Sequence, residues 1–113
     1  MADTLDRDGV KTKLVLQGGQ DFQLTVLPPT DIQEFPSGAT AEIIIRADKN
    51  LDSAVLDTWD AVVSSGSLTW WVQSDKCDAI PERAQYMLLL HIPQGNEYLD
   101  RCLFYGTIDR KDY

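Results

Sequence analysis

The sequence predicts an all-β protein, an antiparallel β-sandwich of about seven strands. Apolar and polar residues alternate with a period of two over most of the chain, as they do in strands with one buried face. Residues that favour turns separate these alternating segments at the spacing typical of a sandwich. No helical segment is long enough to connect parallel strands, and the length of 113 residues fits one domain.

The first part of the chain contains two predicted strands. Residues 1–9 are polar and acidic, and we predict an N-terminal arm there and a sandwich domain over residues 10–113. Alternation predicts the first strand over residues 11–17. A Gly-Gly turn leads into a second strand over residues 22–26, which ends because the prolines that follow cannot donate a hydrogen bond within a sheet. The chain then continues as a loop to Gly38.

The central part of the chain contains two clear strands and one ambiguous segment. Residues 39–46 and residues 68–73 alternate cleanly and are predicted to be strands. Residues 51–63 allow either a helix or a strand, because several of their apolar residues fall close to helical spacing. We favour a loop followed by a strand over residues 58–63, joined to the next strand by a Ser-Ser-Gly hairpin turn.

The last part of the chain is predicted to hold one helical turn and two strands. The turn falls within residues 75–83, and the strands cover residues 85–92 and residues 98–109. Gly106 within the last strand indicates a β-bulge or a close backbone contact. It leaves undetermined which face of the sheet the two aromatic residues before it occupy.

Trp70 and Trp71 stand side by side in the strand over residues 68–73. Neighbouring residues of a strand point to opposite faces, so only one of the two can belong to the core. Leu68, Trp70 and Val72 form an apolar face, which predicts that Trp70 is buried and that Trp71 faces outward. An outward tryptophan at mid-strand favours a partner, which can be a second sheet, another chain or a ligand.

The charge and the lack of apolar segments exclude two classes of partner. The net charge of −8 and the absence of a basic cluster argue against nucleic acid, whose binding depends on neutralising phosphates. No apolar run is long enough to cross a bilayer, and the first residues lack the features of a signal peptide. Synthesis in a reducing cytoplasm is therefore expected, with Cys77 and Cys102 as free thiols, at least one of them buried.

Residues with catalytic or metal-binding chemistry are sparse. His91 is the only histidine, and together with Cys77 and Cys102 it shows no metal-ligand spacing. The serines at residues 64–67 belong to a turn and lack the setting of a catalytic nucleophile. Solvated loops account for the abundant acidic residues. We predict no catalytic residue, no cofactor and no metal, and therefore that the protein is not an enzyme.

Five aromatic residues are candidates for an exposed binding surface: Trp71, Trp59, Tyr98, Tyr105 and Tyr113. Tryptophan and tyrosine are favoured anchors in protein interfaces, and a tryptophan ring can also stack on a sugar. The remaining alternative is that a sheet or loop of the same chain covers Trp71. Among the five, Trp71 is the best single candidate for an anchor.

Four segments of the chain combine turn residues with apolar strand positions. They are Gly-Gly-Gln-Asp-Phe at residues 18–22, Phe-Pro-Ser-Gly-Ala-Thr-Ala at residues 35–41, Tyr-Met-Leu-Leu-Leu at residues 86–90 and Tyr-Gly-Thr-Ile at residues 105–108. Over residues 10–110 the chain resembles the LtfC-type β-sandwich domain of actinobacterial phages and the N-terminal domain of upper baseplate proteins.

The resemblance implies a non-enzymatic structural component of a bacteriophage virion. It implies a minor tail or baseplate-associated protein that is assembled in the host cytoplasm and bound in multiple copies to other phage structural proteins. The chain lacks the long C-terminal extension of upper baseplate proteins, which favours a stand-alone tail or virion component over a fibre anchor. The competing hypothesis is a carbohydrate-binding module that recognises a host surface glycan through Trp71.

Overall fold

The structure is a computed structural model that describes residues 10–28, 34–48 and 54–111. The predicted arm over residues 1–9 and the candidate Tyr113 lie outside the described residues. Within the described ranges the chain forms nine strands and one short helix. In chain order these are β1 (Val10–Lys11), β2 (Leu14–Gln17), β3 (Phe22–Val26), β4 (Thr40–Arg46), β5 (Val55–Asp60), β6 (Val62–Val63), β7 (Leu68–Val72), α1 (Ser74–Asp78), β8 (Gln85–Gln94) and β9 (Glu97–Lys111).

The strands form two sheets, which confirms the predicted all-β sandwich. The larger sheet has the order β1-β9-β8-β4-β5, with β2 also paired to β9, and the smaller sheet has the order β3-β7-β6. Neighbouring strands are antiparallel, as predicted, except that β1 and β2 run parallel to β9. This exception joins the first strands of the chain to its last strand, a pairing that local alternation does not determine.

The number of strands exceeds seven because two of the predicted strands are each divided. The predicted strand over residues 11–17 is interrupted at Thr12. There the backbone lies so close to Gly106 of β9 that a Cβ on Gly106 would overlap the Thr12 carbonyl oxygen. The predicted close backbone contact at Gly106 is therefore confirmed. The predicted strand over residues 58–63 begins earlier, at Val55, and is interrupted at Ala61. The N–H of Ala61 donates instead to the Ala41 carbonyl at 3.0 Å.

The core between the two sheets is apolar, and no polar or charged residue of the described ranges is fully buried. Trp70 lies at its centre with 0% of its surface exposed, as predicted. The indole N–H of Trp70 donates to the carbonyl of Trp59 at 2.9 Å and so links β7 of the smaller sheet to β5 of the larger one. Leaving such a buried donor without an acceptor would cost about 1–3 kcal/mol, so the bond favours this placement of the two sheets.

The longest strands, β8 and β9, form a hairpin that reaches beyond its neighbour. β8 has 10 residues and β9 has 15, whereas β4 pairs with β8 only over Gln85–His91. The turn end of the hairpin, residues 92–99, therefore extends past the end of β4. The predicted helical turn is present as α1, and no helix of the described residues has the length and apolarity to span a membrane.

Candidate interaction surface

Trp71 points outward from the smaller sheet with 69% of its surface exposed. The alternating burial of β7 places its first, third and fifth residues in the core and Trp71 on the opposite side, as predicted. The indole ring is therefore not covered by the parts of the chain that the structure describes. We call the outer side of the smaller sheet the Trp71 face; it comprises Gln23, Thr25, Val62, Thr69 and Trp71.

One carboxylate fixes the orientation of this exposed indole. The Nε1–H of Trp71 donates to Oδ2 of Asp21 at 2.8 Å, and Oδ1 of Asp21 accepts from the backbone N–H of Ser74 at 2.8 Å. Ser74 begins α1, so the same carboxylate satisfies a helix-start N–H that the N-cap residue Gln73 leaves without a side-chain hydrogen bond. Because the ring is held before any partner arrives, less conformational entropy is lost on binding.

A second contact ties the turn before β3 to α1. Gly19 has a φ of +74°, a conformation that favours glycine, and its N–H donates to Oδ1 of Asp78 at 3.2 Å. Asp21 thus contacts the start of α1, and Gly19 contacts its end. The turn and α1 together form a supporting unit beside Trp71.

Asp21 is a functional candidate that the sequence analysis did not identify. The only sequence signal is its place in the Gly-Gly-Gln-Asp-Phe turn, directly before β3. The pairing of β3 with β7 puts Phe22 opposite Val72, which brings Asp21 next to the end of β7 and within reach of Trp71. That pairing is a long-range contact, and the local residue pattern does not reveal it.

A polar cleft of about 430 Å³ lies beside Trp71. Its walls include Asp60, Trp71, Gln73, Asp75 and Lys76. They bring hydrogen-bonding groups of both charges next to an exposed tryptophan. The cleft can therefore accommodate a polar ligand that stacks on the indole ring.

The prediction that Trp59 is an exposed aromatic residue is wrong. Only 3% of its surface is exposed, because β5 pairs with β4 so that Trp59 lies opposite the core residue Ile43. Its Nε1–H donates to Oδ2 of Asp57 at 2.8 Å, and its ring packs on Phe22 with the ring centroids 5.6 Å apart. The segment around Trp59 lacks a clean alternation, so the pattern did not show which way the side chain points.

Tyr105 lies on the outer side of the larger sheet, and Phe104 points inward to pack against the core. The register settles which face each occupies, since Tyr105 is paired with the outward residue Met87. The register of β9 shifts at Leu103, which has no partner on β8, whereas Gly106 stays in register. The bulge therefore precedes both aromatic residues.

Tyr98 shares this outer side, near the turn end of the hairpin, with 60% of its surface exposed. The structure thus brings Tyr98 and Tyr105 to one side of the larger sheet and places Trp71 on the outer side of the other sheet. We call the outer side of the larger sheet the Tyr105 face; its central residues are Glu42, Ile44, Arg46, Met87, Leu89, His91, Asp100 and Tyr105.

His91 lies between two carboxylates on the Tyr105 face. Its Nδ1 is 2.6 Å from Oδ1 of Asp100, and its Nε2 is 2.6 Å from Oε2 of Glu42. Partial burial by itself lowers the pKa of His91, but the hydrogen bonds to Asp100 and Glu42 outweigh burial and raise the pKa above its ordinary value. With both ring nitrogens engaged, the imidazole links β4, β8 and β9.

Both cysteines are free thiols, as predicted, with Cys77 buried and Cys102 partly buried. Burial raises the pKa of the Cys77 thiol, which favours its protonated and unreactive form. In the part of the chain that the structure describes, no group of three or more His, Cys, Asp or Glu side chains is placed to hold a metal ion.

Comparison with known proteins relates the sequence to a family. A family model described as an LtfC-like, beta-sandwich domain matches residues 8–111. No curated protein matches the chain. Among solved structures, the extracellular domain of the voltage-gated sodium channel beta4 subunit is similar, with a TM-score of 0.38 and 10% sequence identity, over 91% of this chain and 94% of that chain.

Proposed function

The chain belongs to the LtfC-like β-sandwich domain family, and from this membership we propose that it is a non-enzymatic structural component of a bacteriophage virion. In this proposal it is a minor tail or baseplate-associated protein, synthesised in the host cytoplasm and incorporated in multiple copies. It acts through contacts with other phage structural proteins and binds neither nucleic acid nor a membrane.

The family match is the observation that carries the proposal. The match spans residues 8–111, so it covers the whole sandwich, and the family is associated with phage tails. The net charge of −8 also supports a protein partner, because phosphates of nucleic acid would repel such a surface.

We infer that Trp71 is the main anchor for a neighbouring virion protein. The indole is large and 69% exposed, and Asp21 holds it at 2.8 Å. Val62, which is 75% exposed, adds apolar area on the same Trp71 face. Truncating a central tryptophan of an interface commonly costs about 2 kcal/mol or more, which weakens the affinity roughly 30-fold.

Purified phage particles test this proposal. Mass spectrometry of virions should detect the protein, and a Trp71→Ala protein made at the wild-type level should be incorporated far less. Val15→Ala is the matched control, since Val15 is a 49% exposed apolar residue on β2, and it should be incorporated normally. Particles that lack the wild-type protein would overturn the virion role. Normal incorporation of Trp71→Ala would overturn the role of Trp71 as anchor.

The cleft beside Trp71 favours a second candidate function, a carbohydrate-binding module for a host surface glycan. Sugar sites commonly place polar groups near an exposed aromatic ring, and here Asp60, Gln73 and Asp75 line the same cleft of about 430 Å³ as Trp71. Binding would then require both the ring and the polar walls.

Titration with host wall polysaccharide separates this candidate from the first. If a glycan binds, the emission of the exposed Trp71 should change, and both Trp71→Ala and Asp75→Ala should abolish or strongly weaken binding. Trp70 is fully buried and should report little. Heat measured by calorimetry for wild type but not for Trp71→Ala would support the glycan. No heat for wild type at millimolar sugar would reject it.

A further inference from the structure

β8 is apolar on both of its sides over residues 86–90, and Ile44 adds one apolar residue to the outer side of β4. β4 contains three consecutive isoleucines at residues 43–45, and β8 contains five consecutive apolar residues at residues 86–90. Antiparallel strands with one solvated face normally alternate apolar and polar residues, whereas unbroken apolar runs are typical of strands that are covered on both faces. Among the described elements, the smaller sheet covers their inner side. The sequence of β8 therefore indicates that its outer side, on the Tyr105 face, is also covered.

An apolar row crosses the centre of the Tyr105 face. The register pairs Ile44 with Met87 and Met87 with Tyr105, and all three side chains are partly buried by their neighbours. A depression of about 300 Å³ opens along this row, and Leu89 lies one row away on the same side. Covering this surface would remove further apolar area from water, which favours association.

Opposite charges flank this row at equal distances. Glu42 precedes Ile44 by two residues on β4, and Arg46 follows it by two residues. Each charge therefore lies about 6.8 Å along the strand from the apolar row. A half turn about an axis along the row would exchange the two positions.

We infer that the Tyr105 face binds the same face of a second copy of this chain, related by a two-fold axis along the row of Ile44, Met87 and Tyr105. The three apolar side chains of the row then meet their counterparts, and Arg46 of each copy lies over Glu42 of the other. Lys11, which continues the row beside Tyr105, lies at the edge of the contact near Lys11 of the other copy. Both charges also have a partner within their own chain, and that of Glu42 is His91, 2.6 Å from its Oε2. A surface that matches itself in this way is what an isologous two-fold contact requires.

The size of the face predicts a reversible dimer. Neighbouring strands lie about 4.8 Å apart, and successive outward residues of one strand lie about 6.8 Å apart. A face of four strands and four rows of outward residues therefore has an area of roughly 500 Å². A standard stable interface covers about 800 Å² per partner, so this contact falls in the size class of weak, reversible interfaces. The inference does not depend on the virion role, because it concerns the free protein in solution.

Sedimentation equilibrium of the purified full chain over a range of concentrations tests the dimer. Wild type should show a monomer–dimer equilibrium, and Met87→Lys should raise the dimer dissociation constant about tenfold or more, because it buries a charge at the axis. Val62→Lys is the matched control: it also introduces a lysine at an outward apolar position, but on the Trp71 face, and it should change the constant less than about twofold. Thermal melts followed by circular dichroism confirm that both variants are folded.

Charge exchange tests the orientation of the two copies. In a dimer of Arg46→Glu chains, the new carboxylate at position 46 lies over Glu42 of the other copy. In a dimer of Glu42→Arg chains, the new guanidinium at position 42 lies over Arg46 of the other copy. Each variant alone should therefore dimerise more weakly than wild type. An equimolar mixture should form a heterodimer in which both contacts are again of opposite charge, and native mass spectrometry distinguishes it by mass.

Four outcomes would overturn the proposal. The first is a wild-type chain that stays monomeric at every concentration. The second is a dimer that Met87→Lys leaves intact and Val62→Lys disrupts, since that places the contact on the Trp71 face. The third is a chain that dimerises only after removal of residues 1–9, since that assigns the face to the chain's own N-terminal segment. The fourth is a mixture of charge variants that does not regain dimerisation, which rejects the two-fold axis proposed here.

Discussion

At the scale of single residues, the exposed indole of Trp71 depends on a carboxylate 50 positions earlier in the chain. Asp21 accepts one hydrogen bond from the ring and one from the start of α1. Large exposed side chains usually sample several orientations, and fixing them on binding costs conformational entropy. Here the folded protein has already fixed the ring, which makes Trp71 a better anchor than its exposure alone would suggest.

Asp21→Ala should lower the free energy of unfolding by about 1–2 kcal/mol, because the helix start and the indole both lose their acceptor. The matched control is Asp75→Ala, an exposed acidic residue in the first turn of α1, which should change it by at most about 0.5 kcal/mol. Urea denaturation measures both variants. Tryptophan anisotropy should also fall in Asp21→Ala as Trp71 gains freedom. Equal stability of the two variants would contradict the role of Asp21.

The pairing of His91 with Glu42 and Asp100 should make stability depend on pH. The folded-state pKa of His91 is raised above the unfolded value of about 6.5. The contribution of the imidazolium is therefore fully present below about pH 6.5 and is lost as the pH rises through the folded-state pKa. The difference in unfolding free energy between wild type and His91→Gln should shrink as the pH rises from about 6 to about 9.

Urea denaturation at a series of pH values measures this difference. Because His91 is the only histidine, its ring resonances in a proton NMR titration give its folded-state pKa directly. A titration midpoint at or below about 6.5, or a difference that stays constant with pH, would contradict the prediction.

At the scale of the elements, Gly106 controls how the first strands join the larger sheet. Its φ of +154° lies in a region that side chains rarely adopt, and a Cβ there would overlap the backbone of Thr12. The N–H of Thr12 donates to the carbonyl of Tyr105 at 2.9 Å, and the hydroxyl of Tyr86 donates to the carbonyl of Thr12 at 2.9 Å. The interruption between β1 and β2 is therefore a docking point against β9.

Gly106→Ala should lower the free energy of unfolding by about 2–5 kcal/mol, since it combines backbone strain with a steric clash. Gly66→Ala is the matched control, because a Cβ at Gly66 meets nothing within 4 Å, and its effect should stay within about 1 kcal/mol. Urea denaturation compares the two. Hydrogen exchange should show faster exchange at Val10 and Lys11 in Gly106→Ala alone. A Gly106→Ala protein as stable as wild type would contradict this docking role.

At the scale of the whole molecule, the sandwich presents two different outer faces. The Trp71 face carries one fixed, exposed indole, and the Tyr105 face carries an apolar row flanked by opposite charges. The two faces belong to different sheets with the core between them. A protein built in this way can pair with its own copy through one sheet and contact a different neighbour through the other.

A substitution on one face should therefore leave the interaction of the other face unchanged. Trp71→Ala should dimerise in solution like wild type but be incorporated poorly into particles. Met87→Lys should dimerise much more weakly than wild type, while its fold and the exposed indole of Trp71 stay intact. Sedimentation and quantitative mass spectrometry of particles measure the two effects on the same preparations. Loss of both properties in either single variant would show that the faces are coupled and would contradict this division of roles.

The sequence determined the features that depend on local periodicity and turn chemistry. Alternation and the placement of glycine and proline predicted the all-β sandwich, the buried Trp70 and the outward Trp71, because side chains in a strand alternate whatever that strand pairs with. The tertiary structure alone decided the burial of Trp59, the split first strand, the shared face of Tyr98 and Tyr105, and the contact of Asp21 with Trp71. Each of these depends on which strands become neighbours and in which register, and such pairings join residues far apart in the chain that no local pattern specifies.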